Sequence, residues 1–355
     1  MYFFILLVFL PSIEQKNLKK YSVTEETSED GLISNENIKW MLLPNGRGDP
    51  QLAILSGLER NSEQEPLIEN IKFYLYTRDN PIRAEVQSMD KNCLPIFKYF
   101  RPQRKTKVLV HGFGDSASDS IMFPLLRDAF LNYNDYNIFT VDWSQLAAIP
   151  WYNSAVKNTK NVSKHLALFI EHMSTSTGAH VEDFHLIGFS LGAHVVGLTN
   201  TNIKSGSVKH ITGLDPAEVL FSNAGPDQRL DYSQAKLVEV VHTSGGFLGF
   251  KKRLGHRDFY PNGGNWPQPG CVIDYAAVCS HRRAYYYYSE AINRSDAFVA
   301  LPCESYENFK NGLCSNNTEL SVQLGKSPYD KLKEGNYYLN TNSDSPYGKV
   351  SKNKY

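Results

Sequence analysis

The pentapeptide Gly188-Phe189-Ser190-Leu191-Gly192 lies between an apolar run, Phe184-His185-Leu186-Ile187, and a helix-like run, Ala193-His194-Val195-Val196-Gly197-Leu198. A Gly-x-Ser-x-Gly with a strand before it and a helix after it demands a tight strand-to-helix turn with the serine at its apex. Bulky flanking residues would collide with strand or helix, and glycines relieve that crowding. The plain alternative is a Gly/Ser turn that opens an ordinary helix. The strand and helix on either side favour the other reading, in which Ser190 projects its hydroxyl from the sheet edge as a nucleophile.

The rest of the chain repeats the alternation. Ile71–Tyr76, Lys107–His111, Asn137–Trp143, Val208–Leu214 and Leu237–Thr243 read as strands, and Tyr337–Leu339 as a last one. Between them, residues 154 to 173 carry Val162, Leu166, Phe169, Ile170 and Met173 at helical spacing. Strands alternating with helices predict an α/β fold, a mostly parallel sheet with helices on both faces. Ligands of such sheets meet the loops at the carboxyl ends of the strands. His111, Ser190, Asp215 and His242 all stand at or just past expected strand ends.

A chain of 355 residues, 41% hydrophobic, holds a sizeable core. Lys plus Arg balance Asp plus Glu at 37 each, so no nucleic-acid partner is expected. The basic runs Arg101–Lys107 and Lys251-Lys252-Arg253 read as solvated loops. Residues 1–16 open with an apolar stretch suited to a signal-peptide core and too short for a membrane span. Residues 17–70 are polar and weakly patterned, an N-terminal arm or pro-segment. The ordered domain is expected over 71–348, with a tail at 349–355.

Cysteine spacing gives two close pairs, Cys271–Cys279 and Cys303–Cys314, and leaves Cys93 over. Two short disulfide loops suit a secreted, extracellular protein. Neither spacing fits a zinc site. Asn161, Asn293 and Asn316 each open a glycosylation triplet.

A serine hydroxyl needs a base, usually a histidine held by a carboxylate. After such an elbow the acid comes next in the chain and the histidine last. Asp215, in Gly213-Leu214-Asp215-Pro216-Ala217, ends a strand and suits the acid. His242, His256 and His281 all follow it, and spacing does not choose among them. A negative tetrahedral intermediate needs backbone donors. The amide of Leu191 is one candidate. The loop His111-Gly112-Phe113-Gly114-Asp115 supplies the other.

These stretches resemble the pancreatic-lipase family of animal lipases. Further matches are Val141-Asp142-Trp143, Val241-His242-Thr243, Gly255 to Gly264, and Cys279-Ser280-His281-Arg282-Arg283-Ala284-Tyr285, so the likeness runs from about residue 70 to 348. The resemblance implies an α/β-hydrolase fold and lipid ester hydrolysis. It implies a triad of Ser190, Asp215 and His281, with oxyanion donors at Phe113 and Leu191.

The departures from the family pattern carry expectations of their own. The segment Val272–Val278 stands where the family has a lid and is short, as is the loop Ser244–Leu254. Within the family, short versions accompany phospholipases A1, so phospholipase A1 activity is expected ahead of triacylglycerol or galactolipid hydrolysis. The family's C-terminal β-sandwich is not seen, so no colipase is expected as a partner. A lipid surface is. In the family's calcium loop Asp231 is kept, but Gln234 replaces a second acid, so no metal or other cofactor is expected. A non-catalytic lipid-binding or yolk-type protein is the reading from another class. The complete Ser190, Asp215 and His281 set argues against it.

Overall fold

The apolar runs that precede glycine-rich turns become the central strands. In the computed structural model, whose described residues are 33–35, 38–60, 68–89, 94–314, 321–325 and 334–349, β1 (Ile33–Asn35), β2 (Ile38–Pro44) and β3 (Pro50–Ser56) form a small antiparallel sheet. The large sheet takes β4 (Lys72–Tyr76), β5 (Glu85–Ser88), β6 (Thr106–Val110), β7 (Asn137–Asp142), β8 (Phe184–Phe189), β9 (His210–Leu214) and β10 (Leu237–Val241). It is completed by β11 (Arg257–Pro261), β12 (Val299–Pro302), β13 (Val322–Gln323) and β14 (Gly335–Leu339). The helices are α1 (Met122–Tyr133), α2 (Tyr152–Thr177), α3 (Leu191–Asn202), α4 (Val278–Asn293) and α5 (Tyr306–Lys310).

The strand order is β13-β12-β14-β11-β10-β9-β8-β6-β7-β4-β5. From β14 to β7 every neighbouring pair is parallel, and the strands at both edges are antiparallel. From β6 the chain crosses through α1 to β7 on one side, then returns through α2 to β8 on the other. Right-handed crossovers in opposite directions put their helices on opposite faces. The direction reverses at the β6–β8 pair, and a crevice opens at the carboxyl ends there. The fold is the α/β-hydrolase type that the resemblance implies.

Alternation along the strands feeds two cores. Val108, Val110 and Leu186 face α2 and α3, whereas Leu109, Ile187 and Leu214 face α1 and α4. Burying each such side chain stabilises the fold by roughly 1.5–3 kcal/mol. The run Tyr285–Tyr288 belongs to α4 and buries Tyr285, Tyr287 and Tyr288 in the second core.

The structure corrects the reading of two segments and adds a strand that the sequence reading did not name. The described part of residues 17–70 is no loose arm: β2 and β3 bury Leu43, Ala53 and Leu55 in the first core. Their pattern is weak because each strand also exposes a leucine, Leu42 in β2 and Leu52 in β3. Residues 1–16 and Cys93 lie outside the described residues. The second correction is Lys107, which leaves its basic run to enter β6 and brings its Nζ to within 3.1 Å of His185 Nδ1. The added strand is β11, which carries charge yet is buried throughout. Arg257 Nη1 lies 3.5 Å from Glu239 Oε1, and Asp258 pairs with His242.

Candidate active site

Ser190 follows the last residue of β8 and adopts φ +55° and ψ −120°. A non-glycine residue in such a conformation costs about 1–3 kcal/mol and persists only where the surroundings impose it. They do so through backbone bonds. Ser190 N donates to Leu214 O at 3.0 Å, and Ser190 O accepts from Ala193 N at 3.1 Å. The flanking glycines are contact points. A Cβ on Gly188 would lie 2.1 Å from Gly192 O, and one on Gly192 would lie 2.3 Å from Val110 O. Neither backbone oxygen can move without breaking the turn or β6.

Asp215 stands just past β9, beside the elbow, with a left-handed φ of +43°. Its carboxylate is fully buried and fully used. Oδ1 accepts from the amides of Thr243 at 2.7 Å and Ser244 at 3.1 Å. Oδ2 accepts from the Ser244 hydroxyl and lies 2.6 Å from His281 Nδ1. Two amides and a hydroxyl hold this carboxylate in place against the imidazole. A proton on His281 Nδ1 then leaves Nε2 as the ring's basic nitrogen. The ring rests 4.5 Å from that of Phe189, and His281 lines one pocket with Ser190.

Of the histidines that spacing left open, the structure brings only His281 to Asp215. His242 is buried against other partners, with Nδ1 2.6 Å from Phe250 O and Nε2 2.8 Å from Asp258 Oδ1. His256 Nδ1 accepts from the Val238 amide at 3.0 Å.

Phe113 lines the same pocket as Ser190, and Leu191 directly follows Ser190 in the chain. Neither amide donates to an acceptor among the described residues, whereas Gly114 N donates to Ala147 O at 2.9 Å. Leu191 begins α3, where the first amides have no partner within the helix. The Phe113 loop is fastened by Trp143. Its amide donates to His111 Nε2 at 3.1 Å and its indole to His111 O at 2.9 Å. An acceptor Nε2 puts the imidazole proton on Nδ1, which donates to Gly112 O at 2.7 Å. Trp143 is therefore a core fastener and does not line the pocket.

The remaining predicted residues lie apart from this pocket. Cys271–Cys279 and Cys303–Cys314 are bonded. Asn161 is exposed on α2, Asn293 is exposed but donates its Nδ2 to Ala129 O at 3.1 Å, and Asn316 lies outside the described residues. Asp231 caps a short turn. It accepts from Ser233 N at 3.1 Å and from Arg229 Nη1 at 3.3 Å. Gln234 Nε2 donates to Pro226 O and Arg229 O, at 2.9 and 2.8 Å, pointing N–H groups where a cation would need oxygen. No cluster of three or more His, Cys, Asp or Glu with ligand geometry occurs among the described residues.

Sequence reasoning missed Ser244, Arg282 and the β2–β3 turn. Leu43, Asn45, Gly46 and Arg282 all line the pocket. Ser244 carried a usable signal, since it follows β10, the strand beside the one that ends in Asp215. The turn had none, because its partners are distant in sequence.

The chain is similar in sequence to known lipases. The family model described as Lipase matches residues 51–347. Lipase member H of Xenopus tropicalis is 37% identical over 254 residues, covering 70% of this chain and 54% of that protein. Pancreatic lipase-related protein 2 of Rattus norvegicus is 36% identical over 265 residues, covering 68% of this chain and 56% of that protein. The chain thus spans about half the length of the curated relatives it matches.

Proposed function

The chain belongs to the lipase family, and we propose that it is a secreted serine hydrolase of lipid carboxylic esters, with Ser190 as nucleophile. The observation that carries this reading is one pocket shared by Ser190, on its strained elbow, and His281, whose Nδ1 lies 2.6 Å from Asp215. In the reaction Ser190 Oγ attacks the ester carbonyl carbon while His281 Nε2 takes its proton. The amides of Phe113 and Leu191 receive the oxyanion. Collapse breaks the ester bond, and His281 returns the proton to the departing alcohol oxygen. His281 then activates a water, which releases the fatty acid and restores Ser190. Asp215 holds the imidazole and stabilises its protonated form.

Phospholipase A1 activity is the reading we favour within that class. The bridge Cys271–Cys279 is short and pinned. Asp274 accepts from Cys279 N at 2.7 Å, from Ser280 N at 3.1 Å and from the Ser280 hydroxyl. A fixed, short bridge leaves the cleft open to a bulky headgroup. Val272 and Tyr275 on that bridge are 92% and 77% exposed, which suits a protein that meets a lipid surface. Secretion is supported by the two disulfides. The Asp231 loop, occupied by its own donors, is read as a structural turn.

The test is an assay of phosphatidylcholine labelled on both acyl chains beside a triacylglycerol emulsion, with Ser190→Ala as control. Release of the sn-1 chain, absent from the control, is expected. Turnover of triacylglycerol alone would replace the phospholipase reading. Silence on both substrates, together with no labelling by a fluorophosphonate, would replace hydrolysis by lipid carriage.

A further inference from the structure

Arg282 follows His281 on α4 and lines the same pocket as Ser190. The side chain is half-buried. Its Nε donates to the Tyr285 hydroxyl, and its Nη2 to the Tyr286 hydroxyl at 3.2 Å. On another side lies Gly48, in the β2–β3 turn at φ +91°, where a Cβ would meet Nη1 at 1.9 Å. The turn therefore comes against the guanidinium only because residue 48 lacks a side chain.

The partners of this cation are phenols. No carboxylate stands within ion-pair distance of Arg282 among the described residues, although Arg47, Arg104, Arg229, Arg253 and Arg257 all have one. A guanidinium carries five N–H donors, of which the two phenols use one each, so three remain for a ligand. Taking a charge partly out of water without a counter-charge is costly, and an arriving anion removes that cost. The planar fork matches two oxygens of one anion. Asp115, the pocket's acid, does not serve as counter-charge. Oδ1 accepts from Ser116 N and Oδ2 from Ser120 Oγ, both at 2.8 Å. Burial pushes its carboxyl up, towards the neutral form.

We propose that Arg282 forms an anion subsite of this pocket and binds the phosphate of a glycerophospholipid whose sn-1 ester lies at Ser190. The proposal rests on the hydrolase reading above and names its substrate class. Only the glycerol carbons separate the two groups in such a lipid, so one pocket holds both. A triacylglycerol has no anion to offer. The carboxylate of a released fatty acid shares the chemistry, and the experiment separates the two sources.

The experiment measures kcat and KM for the wild type, Arg282→Met and Arg282→Lys. The substrates are phosphatidylcholine and an uncharged diacylglycerol in the same detergent micelles, and inhibition by oleate is measured alongside. Arg282→Met is expected to raise KM for phosphatidylcholine at least tenfold more than for diacylglycerol. Arg282→Lys, which keeps the charge and loses the fork, is expected to fall between. Equal changes on both substrates, or none, would overturn the subsite. So would a loss of oleate inhibition without a change in the substrate ratio, which assigns Arg282 to the product carboxylate. Ser190→Ala is run on both lipids. Activity surviving in it would refute the nucleophile reading, while the substrate ratio would still judge Arg282.

Discussion

The hydroxyl of Ser244 donates to Oδ2 of Asp215, the same oxygen that receives His281 Nδ1. Ser244 Oγ also stands 3.4 Å from His281 Nδ1, so one small side chain touches both members of the pair. Removing it leaves Asp215 with two backbone amides and the imidazole. A hydrogen bond to a charged group contributes about 1.5–3 kcal/mol, so Ser244→Ala is expected to lower kcat by roughly ten- to a hundredfold. KM should stay close to the wild-type value. Asp215→Asn should cost about 10⁴-fold, because the imidazole then loses both its anchor and its tautomer. Steady-state kinetics on one ester would decide. A Ser244→Ala enzyme with wild-type kcat would make that hydroxyl a bystander.

The elbow stores strain that a substitution can release. Ser190→Gly removes the nucleophile and also suits φ +55°, whereas Ser190→Ala removes only the nucleophile. Both variants should be inactive. The glycine variant should nonetheless be more stable than the alanine variant by about 1 kcal/mol, at the low end of such strain. Urea midpoints of the two would show it, and an alanine variant at least as stable would mean that the turn is unstrained.

Stability should fall on the acid side because of buried neutral histidines. Burial pushes His194 down to about 4, and the bond from Nε2 to Ala217 O at 2.7 Å opposes this only in part. His185 and His210, stacked 3.6 Å apart, are lowered by burial in the same direction. An unfolded histidine takes up its proton near pH 6.5, and the folded one does not until the pH is far lower. The stability is therefore whole above about pH 6.5 and is lost as the pH falls towards 4, by up to about 1.4 kcal/mol per unit per histidine. Urea midpoints at pH 7.5 and pH 5 should differ accordingly, and His194→Gln should flatten the slope. A midpoint independent of pH over that range would show that these rings protonate inside the fold.

Asp274 caps the helix that carries His281. Its acceptance from Cys279 N and Ser280 N replaces the cap that Ala277, at the formal boundary, lacks. Asp274→Ala should cost about 1–2 kcal/mol of stability, as the loss of an N-cap does. It should lower kcat as well, since α4 aims the imidazole. Wild-type kcat in a destabilised variant would show that the disulfide alone fixes the helix start.

The parts of the fold legible in the sequence were those built on local pattern. β8, the elbow and α3 announce themselves through an apolar run, two contact glycines and a helical run in direct succession. β11 did not, because Arg257 and Asp258 interrupt any apolar run there. Their partners Glu239 and His242 come from β10 and the residue after it, and only the sheet brings them together. The acid was legible at a strand end, but the choice among three histidines depended on resemblance, since 66 residues separate Asp215 from His281. Arg282 has no meaning until the β2–β3 turn meets α4.

The β2–β3 hairpin makes bonds to the loops of the site and none to the proposed catalytic side chains. Gly46 N donates to Gly114 O at 3.2 Å, Arg47 pairs with Asp119, and Gly48 faces Arg282. The turn that walls the pocket precedes residue 51, where the match to the family begins. This wall thus meets the pocket without a bond to Ser190, Asp215 or His281. Exchanging residues 45–49 for another turn is expected to reshape this wall of the pocket while the bonds of Ser190, Asp215 and His281 stay in place.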